Sequence, residues 1–257
     1  MAEIWKTVAP PYWAYFGSRL VELADIPAGA YVLDVGSGRG TSLLPAARKT
    51  GPQGQVVGID IWEEHVRGTA LEIRERGLNN ASMVWMDATR PGFRSNSFDY
   101  VLSGFAVCWF SLRDVFPLLR AGGRVVLSSW AWQEDNEWMG ASVGRLVPEP
   151  GNTDLRPRAY TLDTVEALED VLDKAGFRDI QVLREDKEFV WRDEEEWWRV
   201  MENSGWQSHL ERVRKMGAAV LDRLKEDAFT MLQRHKDADG VHFTRSVLFA
   251  LGTKKEN

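Results

Sequence analysis

Three carboxylates each follow a short apolar run, and their spacing suits one shared ligand. Asp34 stands inside Val32-Leu33-Asp34-Val35-Gly36-Ser37-Gly38-Arg39-Gly40-Thr41. Asp60 closes Val56-Val57-Gly58-Ile59, and Asp87 follows Val84-Trp85-Met86 and precedes Ala88. Glycines between a strand and a helix permit positive φ and let a ligand approach the backbone. A carboxylate at the end of the second strand can accept two ribose hydroxyls or cap the next helix. A carboxylate beside a following N–H, as at Asp87, can read an adenine amine and ring nitrogen or make a turn.

Spacing separates the ligand classes. Dinucleotide sites favour G-x-G-x-x-G, with a helix N-terminus aimed at a pyrophosphate. Here the pattern is G-x-G-x-G, and Thr41 takes the place of the third dinucleotide glycine. This disfavours an NAD-dependent oxidoreductase. Asp34 suits a ligand with a cationic ammonium, such as S-adenosylmethionine, although it can equally hydrogen-bond the loop backbone.

The elements that must hold these residues alternate. Residues 1–29 read as an N-terminal helical cap. Strands are expected at 31–35, 55–60, 82–86, 98–103 and 124–130. Helices are expected at 41–49, at 62–76 and from Ser111, with Asp114 in a capping box, to near Gly122 and Gly123. Residues 131–160, with Pro148, Pro150 and Gly151, read as irregular. A helix over 161–174, a strand over 178–191, helices over 193–235 turning near Gly205 and Gly217, and a strand over 241–251 complete the chain. The reading is one α/β domain with helices on both faces of a mostly parallel sheet. Residues 30–131 form its cofactor-binding half. Segments 132–160 and 193–238 are lid insertions, and 161–192 and 239–257 complete the sheet.

The bulk numbers exclude some functions. The 257 residues carry a formal charge of −6, which lacks the basic footprint of a nucleic-acid binder. Cys108 is the single cysteine, so no intrachain disulfide or cysteine-based zinc site is expected, and no metal. No secretory signal or membrane span is expected, and the single thiol suits the cytoplasm. Twelve tryptophans against five tyrosines point to aromatic surfaces beyond the core strands.

The order VLDVGSGRG, VVGID, MDA, FDYVLS and LLRAGGRVVLSSW resembles the class I S-adenosylmethionine-dependent methyltransferases. It is most similar to the small-molecule branch that includes ubiquinone and menaquinone biosynthesis enzymes. The resemblance covers residues 30–131 well. It implies a Rossmann-like, seven-stranded sheet with an antiparallel last strand. It also implies S-adenosyl-L-methionine as cofactor and S-adenosyl-L-homocysteine as product. Asp34, Gly36, Ser37, Gly38 and Gly40 would cradle the methionine end and Asp60 the ribose. Ile61 and Trp62 lie beside it, with Trp62 placed to pack on adenine or to start a helix. Asp87 and Ala88 would hold adenine, and Ser103 and Gly104 the methyl-donor side.

Methyl transfer by in-line displacement can run on alignment alone, so no catalytic base is assigned. His65, His209 and His235 read as surface residues, and Cys108 as a small buried hydrophobe. Tyr12, Trp13, Tyr15, Phe105 and Trp109, with Trp130, Trp132 and Trp138, should gather beyond the carboxyl ends of the strands. They suggest an apolar or aromatic small-molecule acceptor, or they pack the lid to the sheet. Pro10-Pro11-Tyr12-Trp13 resembles the proline-proline-aromatic signature of enzymes that methylate base amines. That signature belongs after the fourth strand, where Ser103-Gly104-Phe105 stands, so Pro10-Pro11 reads as a helix start. An RNA or protein methyltransferase, and a non-catalytic S-adenosylmethionine-binding sensor or partner, are the alternatives. The chain is expected to be a monomer or homodimer.

Overall fold

The computed structural model describes residues 10–147, 162–203 and 206–255. The expected features at Trp5, Pro148, Pro150, Gly151, Thr161 and Gly205 lie outside the described residues.

Helix α1 (Pro11–Ala24) starts with proline in its first turn, where a missing N–H costs nothing, and ends at Asp25 in the left-handed conformation. Its Phe16 and Leu20 are fully buried, each contributing about 1.5–3 kcal/mol. Then β1 (Tyr31–Val35), α2 (Leu43–Thr50), β2 (Gln55–Asp60), α3 (Glu63–Glu75), β3 (Ala81–Trp85) and β4 (Phe98–Gly104) alternate as expected. After them come α4 (Leu112–Val115), β5 (Leu119–Trp130), α5 (Glu134–Leu146), α6 (Val165–Ala175) and β6 (Arg178–Trp191). Helices α7 (Glu194–Glu202), α8 (Gln207–Lys215) and α9 (Ala218–Leu232) precede β7 (Val241–Thr253).

The seven strands form one sheet in the order β3-β2-β1-β4-β5-β7-β6. Strands β1 to β5 pair in parallel, and β7 runs antiparallel to both β5 and β6. One face packs on α1, α2, α5 and the helices α7–α9, through Phe16, Leu20, Met139, Trp197 and Trp206. The other face carries Leu33, Val101 and Leu127, with Leu112 of α4 and Leu168 and Leu172 of α6. The seven-stranded Rossmann-like expectation is met.

Three expectations need correction. The helix after Ser111 stops before the glycines. Ser111 Oγ accepts from Arg113 N at 3.2 Å rather than pairing with Asp114 in a capping box. Pro117 sits in a 3-10 turn, and the strand starts at Leu119; proline has no N–H with which to continue the helix. Gly122 N donates to Lys254 O, and Lys254 N to Gly123 O, so the glycine pair belongs to the sheet. Residues 134–146 are helical, not irregular. Met139 and Val143 stand one turn apart on the buried side of α5, and Glu134, Asp135 and Glu137 favour its N-terminus. Helix α6 starts at Val165 because Thr164 caps it, accepting from Ala167 N at 3.2 Å.

Candidate active site

The carboxyl ends of β1, β2 and β4 meet at the glycine turn. Gly36, Gly38 and Gly40 have φ of 69°, 52° and 71°. The N–H groups of Gly36 and Ser37 both donate to Ile59 O, at 2.9 and 3.0 Å, which fastens the turn to β2. A Cβ on Gly36 would lie 2.4 Å from Ala106 Cβ, so the segment after β4 presses directly on the turn.

Asp34 is fully buried beneath this turn. Its Oδ2 accepts from Ser37 Oγ at 2.6 Å, and Ser42 Oγ lies 2.9 Å from each carboxylate oxygen. The carboxyl therefore staples β1, the turn and the start of α2 together. Burial pushes its pKa up to about 6, against the pull of the two serine hydroxyls.

Asp60 is nearly as buried. Its Oδ2 accepts from Gly38 N at 2.8 Å, its Oδ1 accepts from Trp62 N at 2.9 Å, and His65 Nδ1 lies 3.3 Å from that same Oδ1. Burial opposes its ionisation. The His65 ring and the N–H groups of Trp62 and Gly38 outweigh burial and hold the carboxyl below the usual carboxylate range. Beside it Ile61, Trp62 and Trp85 form an apolar shelf, each more than half exposed. Trp85 Nε1 donates to Ile61 O at 2.8 Å and fixes the shelf's outer ring. Asp87 follows at the end of β3, with Oδ1 accepting from both Thr89 N and Thr89 Oγ1 at 2.9 Å. Those donors hold its carboxyl below the usual range. Ala88 packs against the core of the opposite sheet face.

At the end of β4, Ser103 Oγ donates to Val35 O at 3.0 Å and ties β4 to β1. A Cβ at Gly104 would meet Ser42 Oγ, Ser128 Oγ and Leu20 Cδ2 at 3.8–4.0 Å, ordinary van der Waals contact. Phe105 then adopts φ 58°, a conformation costing roughly 1–2 kcal/mol for a side-chain-bearing residue. Its N–H donates to Ser128 O at 3.0 Å, and its ring stacks on Trp130 at 4.2 Å between centroids. Such strain concentrates where geometry serves function.

From Phe105 an aromatic face runs across the sheet. Trp13 packs edge-on against Phe105 at 5.0 Å and Trp130 at 5.5 Å. Tyr12 contacts Trp130 at 5.5 Å, Phe189 at 5.8 Å and Trp191 at 6.4 Å. Beyond them Arg245 makes a doubly hydrogen-bonded ion pair with Asp135, both contacts 2.6 Å and both residues buried. Trp197 Nε1 donates to Asp135 Oδ2 at 3.2 Å, and Trp206 Nε1 to Asn136 Oδ1 at 2.7 Å. These bonds join α5 to β7, α7 and the start of α8. A separate crevice of about 200 Å³ between α7 and α9, lined by Glu195, Trp198, Arg199 and Lys225 among others, lies away from the glycine turn.

A family model described as a methyltransferase domain matches residues 32–127. Nocamycin O-methyltransferase of Saccharothrix syringae is 36% identical over 206 residues, covering 73% of each chain. The chain belongs to the class I S-adenosylmethionine-dependent methyltransferases. Aklanonic acid methyltransferase DauC of Streptomyces sp. strain C5 is 40% identical over 123 residues, 46% of this chain and 56% of its own. The YcgJ protein of Bacillus subtilis shares the fold, with a TM-score of 0.63 at 17% identity over 95% of this chain and all of its own.

In this methyltransferase the turn glycines, Ser37, Asp34, Asp60, Ser103 and Gly104 come together around one point. Ile61, Trp62 and Asp87 border it. Tyr12, Trp13 and Phe105 share the aromatic face. Tyr15 lies at the edge of that face, its ring 6.0 Å from Phe189 between centroids, and donates its hydroxyl to Glu185 Oε1 at 2.7 Å on β6. Trp109 sits exposed on a 3-10 turn. Trp132 is exposed, with Nε1 donating to Glu137 Oε2 at 2.8 Å, whereas Trp138 packs partly buried on the core. His65, expected on the surface, instead stands against Asp60. Its position five residues past the carboxylate, one turn into the following helix, was the available signal. Cys108 is partly exposed, not buried. The Asp135–Arg245 pair carries no sequence signal, because 110 residues separate its partners. Among the described residues no helix is long and apolar enough to cross a membrane.

Proposed function

We propose that this enzyme methylates an oxygen of an aromatic small molecule, held over the aromatic face beside the glycine turn. The observation that carries the reading is the stacked Phe105–Trp130 pair, 4.2 Å between centroids, standing directly after Gly104. Flat aromatic walls at the carboxyl ends of parallel strands favour flat apolar ligands. Nocamycin O-methyltransferase and aklanonic acid methyltransferase, named for small molecules, support a small-molecule acceptor.

The residues fit the cofactor. Three positive-φ glycines leave the turn's backbone bare for close approach of a ligand. Asp60 would accept a ribose hydroxyl, and its depressed pKa keeps it anionic for that purpose. Ile61 and Trp62 would cover adenine, with Asp87 and Ala88 at its polar edge. Gly36, Ser37, Gly38 and Gly40 would cradle the methionine end. Asp34, fully engaged by Ser37 and Ser42, would shape that cradle from below. S-adenosylmethionine supplies an electrophilic methyl group on sulfonium and leaves as the neutral thioether S-adenosylhomocysteine.

Tyr12 does not serve as a base on this face. Burial raises the Tyr12 hydroxyl to about 12, only partly offset by Arg245, so it stays protonated at neutral pH. An acceptor oxygen that arrives ionised, as a carboxylate or an acidic phenol does, needs no base. Alignment and exclusion of water are then the protein's contribution.

The test is an acceptor panel of aromatic acids, phenols and polar non-aromatic hydroxy acids, with wild type and Trp130→Ala. Turnover of aromatic acceptors, with kcat/KM lowered at least tenfold in the variant and unchanged S-adenosylhomocysteine affinity, is expected. Methylation of polar non-aromatic acceptors alone would remove the aromatic reading.

A further inference from the structure

Buried polar atoms in proteins are nearly always paired, and an orphan calls for an explanation. Among the described residues three buried side-chain atoms lack a hydrogen-bond partner: Ser128 Oγ, Trp191 Nε1 and His235 Nε2. All three border the aromatic face. Ser128 lies two residues before Trp130 on the same side of β5. Trp191 contacts Tyr12. His235 stacks against Phe243 at 4.4 Å, with Glu134 Oε1 3.4 Å from its Nε2. Tyr12 adds a fourth group: it is 4% exposed, and no hydrogen bond is among the influences on its hydroxyl.

Ser128 Oγ and His235 Nε2 can donate or accept, whereas the groups at Trp191 and Tyr12 offer protons. An indole N–H only donates, and a phenol that keeps its proton donates as well. The Arg245 guanidinium carbon lies 4.9 Å from the Trp191 ring centroid and 5.8 Å from that of Tyr12. Its charge is balanced by Asp135, so an incoming group meets donors without a large net charge. The complement is an oxygen that only accepts.

Distance adds a size. Phe105 follows β4 and Trp191 ends β6, and the sheet order β4-β5-β7-β6 puts three strand spacings between them, about 14 Å. A molecule touching both ends must be elongated, on the scale of several fused rings.

We propose that Trp191 Nε1, on a ring whose centroid lies 6.4 Å from that of Tyr12, docks a carbonyl-type oxygen of the acceptor at the end remote from the methylated oxygen. The enzyme thereby selects elongated multi-ring molecules that carry a ketone or carboxylate. The proposal rests on the aromatic-acceptor reading above and extends it from ring to functional group.

The test uses three probes of one ring system: 2-acetylanthracene, anthracene-2-carboxylate and 2-ethylanthracene. Each is titrated by its fluorescence into the S-adenosylhomocysteine-bound protein. Wild type is expected to bind the first two about tenfold more tightly than the third, the span of one buried hydrogen bond. Trp191→Phe keeps the ring but removes the donor. It should lose that preference while its affinity for 2-ethylanthracene stays within about twofold. The acetyl and carboxylate arms distinguish a ketone from an anion as the favoured group. Equal binding of all three probes by wild type, or a preference that survives in Trp191→Phe, overturns the proposal. Should Trp191→Phe fail to bind S-adenosylhomocysteine, Tyr12→Phe carries the test, and full retention of the preference there overturns it. Binding of none of the probes removes the aromatic-acceptor reading itself, and the proposal with it.

Discussion

Gly38 donates its backbone N–H to Asp60 Oδ2 at 2.8 Å across 22 residues of sequence. The turn after β1 and the end of β2 are thus one mechanical unit. Whatever binds the carboxylate also senses the glycine loop.

Replacing Asp60 removes the acceptor for Gly38 N, Trp62 N and His65 together. Asp60→Ala should weaken S-adenosylhomocysteine binding by about tenfold to a hundredfold, the effect of losing a charged hydrogen-bond acceptor. Titration calorimetry measures this, and an unchanged dissociation constant would show that the cofactor does not use Asp60.

Asp34 sets a pH signature. Its carboxyl moves from an ordinary 3.8 to about 6 on burial. Between those values the folded chain keeps a proton that the unfolded chain has released. The group's contribution to stability therefore falls as pH rises through that window, and is constant above it. Asp34→Asn cannot ionise. The unfolding free energy of wild type minus that of the variant should decline from about pH 4 to about pH 6 and then level off. Parallel pH profiles in denaturant melts would contradict this.

The contact between Gly36 and Ala106 is testable by paired substitution. Gly36→Ala brings a Cβ to within 2.4 Å of Ala106 Cβ at φ 69°, a clash added to left-handed strain. A loss of about 2–4 kcal/mol in stability is expected. Adding Ala106→Gly should return the clash portion and leave the backbone portion. No recovery in the double variant would mean that backbone strain dominates.

The Asp135–Arg245 pair is buried on both sides. Asp135→Ala leaves a guanidinium without its carboxylate and Trp197 Nε1 without its acceptor. Destabilisation of about 3–5 kcal/mol is expected in urea melts, and Asp135→Leu with Arg245→Met should recover much of it. A single variant as stable as wild type would show that water reaches the pair.

The cofactor half was legible because its signals are local. At β1 an apolar run ends in glycines whose positive φ the turn requires, and Thr41 in place of a third glycine separated two ligand classes. The elements that failed were decided by longer contacts. Helix α5 was hidden by the prolines that follow it, and its packing depends on Trp206 and Trp197, which lie some 60–70 residues away. The start of β5 was obscured because Gly122 and Gly123, ordinarily helix-ending signals, pair with Lys254 near the chain's other end. Tyr12, Trp13 and Phe105 could be named from position alone. Phe189, Trp191, Phe243 and Arg245 could not, because only the β6–β7 pairing brings them under α1.

That pairing has an evolutionary consequence. Trp191 and Val241 are register partners in the sheet, so the chain departs at Trp191 and comes back on the same rung. Everything from 192 to 240 hangs from two adjacent anchor points, and closing a long loop costs little more than closing a short one. A gene could lengthen, shorten or exchange this helical block without shifting a single rung of the ladder. The strands of the cofactor half would be untouched while the helices packed on this face of the sheet were rebuilt, which makes this hairpin a natural joint for variation.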